Sequence, residues 1–239
     1  AVRYFCLHEM PFENDGVISW DLMLERYDSE LANTLGNLVK RTVSMANKYL
    51  GGDLKQTGVK STTQEGLLSA DGTEIDKSLI DVVTAAKGII EDKMKDLRVA
   101  DALTEVFKIF KRCNKYIDET EPWKLAKDET KQDRLATVLY NLMEGIRMAA
   151  VALAAYLPDT SAKILDMLGT QERDYLKLDQ FGLLETGGKV VEKPEILFAR
   201  VDIKELMEKV EADKAANAQA QPAAEPAEEA ETEEGIDIE

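Results

Sequence analysis

The sequence predicts an all-α protein, a helical bundle followed by an acidic C-terminal tail. Apolar residues recur at steps of three and four over several stretches of about twenty residues, which is the period of one helix face. Gly and Pro fall between these stretches, where helices begin and end. No stretch alternates as strands do in a nucleotide-binding sheet. No apolar run reaches about 18 residues, so we expect no membrane span.

The first long helix is predicted from about Ser19 to Leu50. Ser19 is a favourable N-cap, and Gly51-Gly52 follows the last periodic residue. The apolar residues of this helix form one seam that should face the core. The seam contains Leu24, Tyr27, Leu31, Leu35, Leu38, Met45 and Tyr49.

Three polar residues of this helix, Asn33, Asn37 and Arg41, recur at steps of four and share another face. Two amides and a guanidinium offer donors and acceptors that suit the edge of a nucleobase. A solvated helix face would give the same pattern, so the residues alone leave both readings open.

The remaining helices follow from the same period and from their end signals. An irregular connector is predicted over 51–73, and a corner at Asp96-Leu97. Thr160 is the expected cap of a helix that ends at Gly169. The predicted helices are 75–95, with Val82, Ile89 and Met94 at core spacing, then 99–118, 122–128, 131–156, 160–168 and 204–216.

Trp123 directly follows Pro122 at the start of a short predicted helix. Proline is tolerated in the first helical turn, and its fixed φ stiffens the corner. The ring is therefore either a core anchor or a platform on which a flat group stacks. Trp20, by contrast, is expected to pack against its neighbours.

Four blocks of the sequence resemble the anticodon-binding part of the bacterial methionyl-tRNA synthetases. The first two are 31–41 (LANTLGNLVKR) and 114–123 (NKYIDETEPW). The others are 3–12 (RYFCLHEMPF), similar to the segment after the family's Lys-Met-Ser-Lys-Ser loop, and 194–202 (PEILFARVD), similar to its C-terminal return peptide. The resemblance covers about residues 1–205, in the family order.

This resemblance implies roles for six residues. Trp123 would stack on the first anticodon base, Pro122 would fix the direction of its ring, and Asp118 would shape the contact with the anticodon loop. The residues that would select cytidine in the CAU anticodon are Asn33, Asn37 and Arg41.

The same comparison shows what the sequence lacks. Neither His-Ile-Gly-His nor Lys-Met-Ser-Lys-Ser occurs, and His8 is the single histidine. The resemblance implies ATP and Mg²⁺ in a catalytic domain that this chain does not contain. We therefore expect no catalytic residue here and no aminoacylation by this chain alone, and we expect a fragment, since the chain starts at Ala1 directly before the block 3–12.

The resemblance also implies a domain plan and a set of partners. The plan is a remnant of the linker after the catalytic domain (1–18), the anticodon-binding bundle (19–168), the return peptide with a last helix (169–210) and a disordered acidic linker (211–239). The expected partners are methionine tRNA, including initiator tRNA, and the catalytic domain of the same synthetase. A C-terminal oligonucleotide-binding dimerisation domain is a further candidate, and the expected location is the cytoplasm.

Charge favours a different function. The formal net charge is −16, of which −9 belongs to 211–239, and this sign opposes binding to a polyanion. An acidic helical module that docks to a protein without anticodon-specific RNA binding therefore stays open. Isoleucyl, valyl, leucyl or cysteinyl relatives are a further alternative, disfavoured by the Asn33, Asn37, Arg41 and Trp123 set.

Cysteine and histidine give no sign of a metal or redox site. Cys6 and Cys113 lie far apart in sequence and do not have the spacing of a zinc or redox motif, so reduced thiols are expected. His8 has no acid or cysteine at the spacing of a triad or metal site, and we expect it at the surface or an edge. Lys124, Lys127 and Lys131 could contact RNA phosphates or simply be solvated.

Overall fold

The computed structural model describes residues 1–10, 12, 15–53, 74–185 and 187–220, and it confirms the all-α fold. Single 3₁₀ turns lie at Glu129–Lys131 and Tyr175–Lys177. Most of the predicted connector 51–73 falls outside the described residues. The helices are α1 (Val2–Glu9), α2 (Trp20–Arg26), the π-helical segment π1 (Tyr27–Asn37), α3 (Leu38–Leu50), α4 (Glu74–Lys95), α5 (Val99–Thr120), α6 (Pro122–Leu125), α7 (Gln132–Leu153), α8 (Pro158–Leu168) and α9 (Ile203–Ala220).

The helices α2, π1 and α3 follow one another without a break and form the predicted first helix. Its N-cap is Ser19, whose Oγ accepts the Leu22 N–H at 3.2 Å. Its last residue is Leu50, and Gly51 then adopts a left-handed conformation with φ 64°. Both predicted ends are confirmed. The uniform α period is wrong for Tyr27–Asn37, because this segment is π-helical.

The core of the bundle is built around α7. Every residue from 135 to 153 except Thr137 is buried, including the polar Asn141, Glu144 and Arg147, so this helix is covered on all sides. The helices α3, α4, α5 and α8 all pack against α7. The small residues near its end allow close approach, since the Ser161 hydroxyl of α8 donates to the Ala150 carbonyl at 2.6 Å.

A buried polar cluster joins α4, α5 and α7. The Tyr116 hydroxyl donates to the fully buried Asp76 carboxylate at 2.7 Å, and Arg134 donates to the same carboxylate at 2.5 and 2.9 Å. Burial, followed by the charge of Asp76, raises the pKa of Tyr116 well above its usual value. The hydroxyl therefore remains a donor and holds the C-terminal half of α5 against the start of α4.

Several helices differ from their predicted limits. The helix α8 begins at Pro158 and not at Thr160, because proline fits the first helical turn without losing a hydrogen bond. The helix α6 ends at Leu125, three residues earlier than predicted. The corner at Leu97, with φ 58°, and the end of α8 at Gly169 are confirmed.

Four apolar residues are more exposed than predicted. Val82, Ile89 and Met94 lie at the edge of the buried face of α4 and are 38%, 42% and 39% exposed. Trp20 is 43% exposed, so its side chain is covered only in part. It lies in the first turn of α2, ahead of the buried seam that starts at Leu24.

The segment after α8 returns along the bundle in an extended path. Val190 N–H donates to the Gly52 carbonyl at 3.1 Å, next to an isolated antiparallel bridge between Asp53 and Lys189. Val191 N–H donates to a carbonyl of α8 at 3.0 Å. Within the described ranges this bridge is the sole β-type pairing.

The helix α9 belongs to a second compact unit, which begins at Val201. It extends to Ala220, which is ten residues into the segment 211–239 that the sequence analysis predicted as disordered. The predicted tail beyond 220 falls outside the described residues. None of the described helices is long and apolar enough to cross a membrane. No cluster of His, Cys, Asp or Glu in the described ranges could hold a metal ion.

Candidate nucleic-acid interface

A stiff corner between α5 and α6 presents Trp123. Glu121 adopts a left-handed conformation with φ 44°, and its N–H donates to the Ile117 carbonyl at 2.9 Å. Pro122 follows as the first residue of α6 and is buried. The Trp123 side chain is 37% exposed, so one part of the ring is open to solvent. This geometry suits a stacking platform better than a core anchor.

Arg41 of α3 lies next to the end of α5. Its terminal nitrogen is 3.9 Å from an Asp118 carboxylate oxygen, and Asp118 is 72% exposed. The Arg41 Nε is buried and has no hydrogen-bond partner among the described residues. Arg41 is thus held by one long contact to the solvated Asp118, which lies five residues before Trp123. Its remaining N–H groups can donate to a ligand.

The polar stripe is the face that Asn33, Asn37 and Arg41 share, and its two asparagines have different environments. Asn33 is half-buried and uses both atoms of its amide, because Nδ2 donates to Asp28 at 3.0 Å and Oδ1 accepts from Arg200 at 2.8 Å. Asn37 is exposed, and its side chain makes no hydrogen bond to any other described residue. Of the two amides, that of Asn37 is the one available to a base.

A cleft of about 250 Å³ lies between π1 and residues 196–200. Gly36 brings the two segments close together, since a Cβ there would lie 3.7 Å from backbone atoms of Phe198. The Tyr27 hydroxyl donates to the Ala199 carbonyl at 2.9 Å, and burial raises the pKa of Tyr27. The cleft is lined by Ala32, Gly36, Asn37, Lys40, Ile196, Phe198, Ala199 and Arg200.

Sequence reasoning missed two cations of this cleft, Lys40 and Arg200. Both lie inside blocks that carry the family resemblance, 31–41 and 194–202, and a search for basic residues in those blocks would have found them. Near Trp123, in contrast, Lys124 pairs with Glu121 at 2.7 Å and Lys131 pairs with Asp128 at 3.6 Å. Of the three lysines after Trp123, Lys127 alone has no paired acid among the described residues, whereas at the cleft neither Lys40 nor Arg200 has one.

His8, which the sequence analysis expected at the surface or an edge, is largely covered and lies between two acids. Its side chain is 14% exposed, and its Nδ1 lies 2.7 Å from a Glu9 carboxylate oxygen. Its Nε2 lies 3.8 Å from Glu30 and 3.4 Å from the Thr104 hydroxyl. The fold brings Glu30 to His8 from 22 residues away in sequence, a distance that motif spacing could not reveal. Cys6 and Cys113 are both free, as predicted.

Two family models match the chain. The model described as the anticodon binding domain of methionyl tRNA ligase matches residues 69–218. The model described as tRNA synthetases class I (M) matches residues 1–43, which include α1, α2, π1 and the start of α3. Together they include all six residues that the resemblance singled out.

Individual relatives agree with these matches. The methionine–tRNA ligase of Caldanaerobacter subterraneus subsp. tengcongensis is 42% identical over 88% of this chain and 31% of its own length. That of Clostridium acetobutylicum is 39% identical over 87% of this chain and 30% of its own. The chain thus spans about a third of these relatives.

A solved structure, the apo form of Mycobacterium tuberculosis methionyl-tRNA synthetase, has a similar fold. It aligns with a TM-score of 0.72 and 29% identity over 84% of this chain and 38% of its own. Sequence, family models and fold therefore agree, and the chain belongs to the methionine–tRNA ligase family as its anticodon-binding domain.

Proposed function

We propose that this chain recognises the CAU anticodon of methionine tRNA, including initiator tRNA. The main support is the half-exposed Trp123 ring, fixed by the buried Pro122 and set five residues after Asp118, which contacts Arg41. Stacking a base on such a ring contributes about 1–3 kcal/mol. This contribution does not depend on base identity, so selection for cytidine has to come from polar groups beside the ring.

Arg41 and Asn37 are the groups that we assign to the base edge. Arg41 has an unpaired Nε and a long contact to Asp118, so a base can replace that contact at little cost. A site that pairs with one base edge rejects another base by leaving buried donors unsatisfied. Asn33, whose amide is already occupied, would support the site through Asp28 and Arg200.

The full activity would belong to a longer protein. Because the matched relatives are about three times as long, we propose that this chain is the C-terminal part of a cytoplasmic synthetase that joins methionine to its tRNA with ATP and Mg²⁺. Residues 1–18 would then follow the catalytic domain, 19–168 would form the anticodon-binding bundle, and 169–210 would return along it. We propose an oligonucleotide-binding dimerisation domain of the longer protein as a further partner.

The test is a binding titration at low salt with a 17-nucleotide stem-loop that carries CAU and a matched loop changed only at the first anticodon base. We expect preference for CAU in the wild-type chain. Trp123→Ala should weaken binding to the CAU loop by about 10- to 100-fold, from the loss of stacking. Trp20→Ala is the matched control, because Trp20 has a similar exposure of 43% but lies at the start of α2.

The net charge of −16 supports a second candidate, an acidic module that docks to a protein. That function predicts equal or no binding to the two loops. It also predicts that Trp123→Ala and Trp20→Ala behave alike. Either result in a chain that circular dichroism shows to be helical would contradict anticodon recognition by this chain.

A further inference from the structure

The segment π1 differs in hydrogen bonding from every other long helix that the structure describes. The Thr34 hydroxyl donates to the Ser29 carbonyl, five residues earlier, at 2.8 Å, and the Asn33 amide donates to Asp28, also five residues earlier. In the α-helices, the hydroxyls of Thr84, Thr104, Thr120 and Thr137 bond carbonyls four residues earlier. At the start of π1 the Ser29 hydroxyl still bonds back four residues, to the Glu25 carbonyl of α2 at 2.7 Å, so the spacing of five begins after it. Long π-helical stretches are rare, and π-bulges concentrate at functional sites.

This register sets the directions of the polar stripe. In an α-helix four residues exceed one full turn, whereas in a π-helix, with its bonds between residues five apart, they fall short of one. The step from Asn33 to Asn37 lies within π1, and the step from Asn37 to Arg41 lies almost entirely within α3. A change of register in π1 would therefore rotate Asn33 relative to Asn37 and Arg41.

One contact from α5 stabilises the end of π1. The Asn114 amide donates to the Thr34 carbonyl at 2.9 Å and to the Phe110 carbonyl of its own helix at 3.2 Å. In a continuous α-helix the Leu38 N–H would donate to the Thr34 carbonyl, but here it donates to Leu35. The Asn114 side chain thus donates to the Thr34 carbonyl, which in an α-helix would accept the Leu38 N–H.

We propose that Asn114 is a positioning residue for anticodon recognition: it holds π1 in the π register, which sets Asn33, and the Arg200 that Asn33 holds in the cleft, relative to Asn37 and Arg41. The proposal rests on the proposed function, because it concerns the same base. Asn114 lies on α5, nine residues before Trp123, so one helix would position both the stacking ring and the polar stripe. Its amide has two carbonyl partners and is not itself assigned to the base.

The test measures the ratio of dissociation constants for the two stem-loops, CAU and the loop changed at the first anticodon base. Asn114→Ala removes the amide and is well tolerated in a helix. We expect it to reduce the ratio by about tenfold. Asn47→Ala is the control, because the Asn47 amide also donates to two carbonyls, of Val191 at 2.8 Å and Glu192 at 3.2 Å, but on another segment. It should leave the ratio unchanged.

A second variant makes the test independent of the folding of Asn114→Ala. Thr34→Val keeps the shape of the side chain and removes only the bond to the Ser29 carbonyl, so it should lower the ratio in the same direction. Unchanged ratios in both variants, or equal loss of affinity for both loops, would overturn the proposal. A wild-type chain without preference for CAU would instead overturn the proposed function and would do so before any variant is compared.

Discussion

Replacing Glu144 with glutamine tests how the return segment is attached to the bundle. Glu144 and Arg147 are both fully buried on α7, and Arg147 donates to the two carboxylate oxygens at 2.7 and 2.8 Å. The same carboxylate accepts the backbone N–H groups of Gly182, Leu183 and Leu184 at 2.9, 3.0 and 3.1 Å. Five donors therefore converge on one buried anion.

The expected cost follows from this geometry. Glutamine offers one oxygen and one NH₂ group, so in either orientation the NH₂ group faces at least two of the five donors. The Arg147 charge also loses its counter-ion in a site without solvent. Breaking a buried ion pair in this way costs about 3–5 kcal/mol, more than the loss of an ordinary hydrogen bond.

The measurement is urea denaturation followed by circular dichroism. Glu144→Gln should lower the free energy of unfolding by about 3–5 kcal/mol. Glu195→Gln is the control, since Glu195 pairs with Lys163 at 2.6 Å on the surface, where both side chains are about half exposed. Its cost should stay below about 1 kcal/mol. A loss below about 1 kcal/mol for Glu144→Gln as well would refute the reasoning.

Three further predictions concern a glycine pair, acid stability and salt. Gly169→Ala should destabilise the chain by more than about 1 kcal/mol, because φ is 69° and a Cβ would clash with the Lys189 backbone carbonyl oxygen. Gly88→Ala, in the open interior of α4, should instead stabilise the chain by about 0.5–1 kcal/mol, and the urea midpoints of the two variants test both expectations. Burial raises the pKa of Glu30, but hydrogen bonds from Tyr4 and Lys111 outweigh burial, so the net pKa is lowered. The ionised Glu30 therefore stabilises the fold at neutral pH, and this stabilisation is lost as the pH falls below about 4.5. Urea midpoints at pH 7 and pH 3.5 should differ more in the wild type than in Glu30→Gln. For the CAU loop, the logarithm of the association constant should fall with the logarithm of salt concentration with a slope no steeper than about −2, because the cleft has few cations. A steeper slope would contradict this recognition mode.

Helix ends and helix faces could be predicted because they depend on neighbouring residues. The cap at Ser19, the glycine after Leu50 and the corner at Leu97 are all set by local backbone preferences. The exposure of Val82 and Ile89 could not be predicted in this way. A periodic pattern predicts the direction of the apolar face of a helix. How much of that face neighbouring helices cover depends on tertiary packing, which the pattern does not contain.

The candidate site was also predicted only where it depends on the residues themselves and not on contacts between helices. The resemblance identified Trp123, Pro122, Arg41 and Asp118, and the fold places Arg41 against Asp118. The steps of four between the polar residues suggested one uniform α-helical face. The same residues fit a π register once a carbonyl of π1 bonds to α5, and no residue within π1 indicates that contact.

An acidic chain can still discriminate between RNA sequences if its affinity comes from few contacts. Neutralising many phosphates would raise the affinity for all loops alike. Base-edge hydrogen bonds instead depend on the identity of the single base that is contacted. With a net charge of −16, this chain has little non-specific attraction to offset a misplaced amide or guanidinium. If the chain reads the anticodon as proposed, discrimination depends on the orientation of a few side chains, so the π register and its Asn114 contact should affect specificity more than affinity.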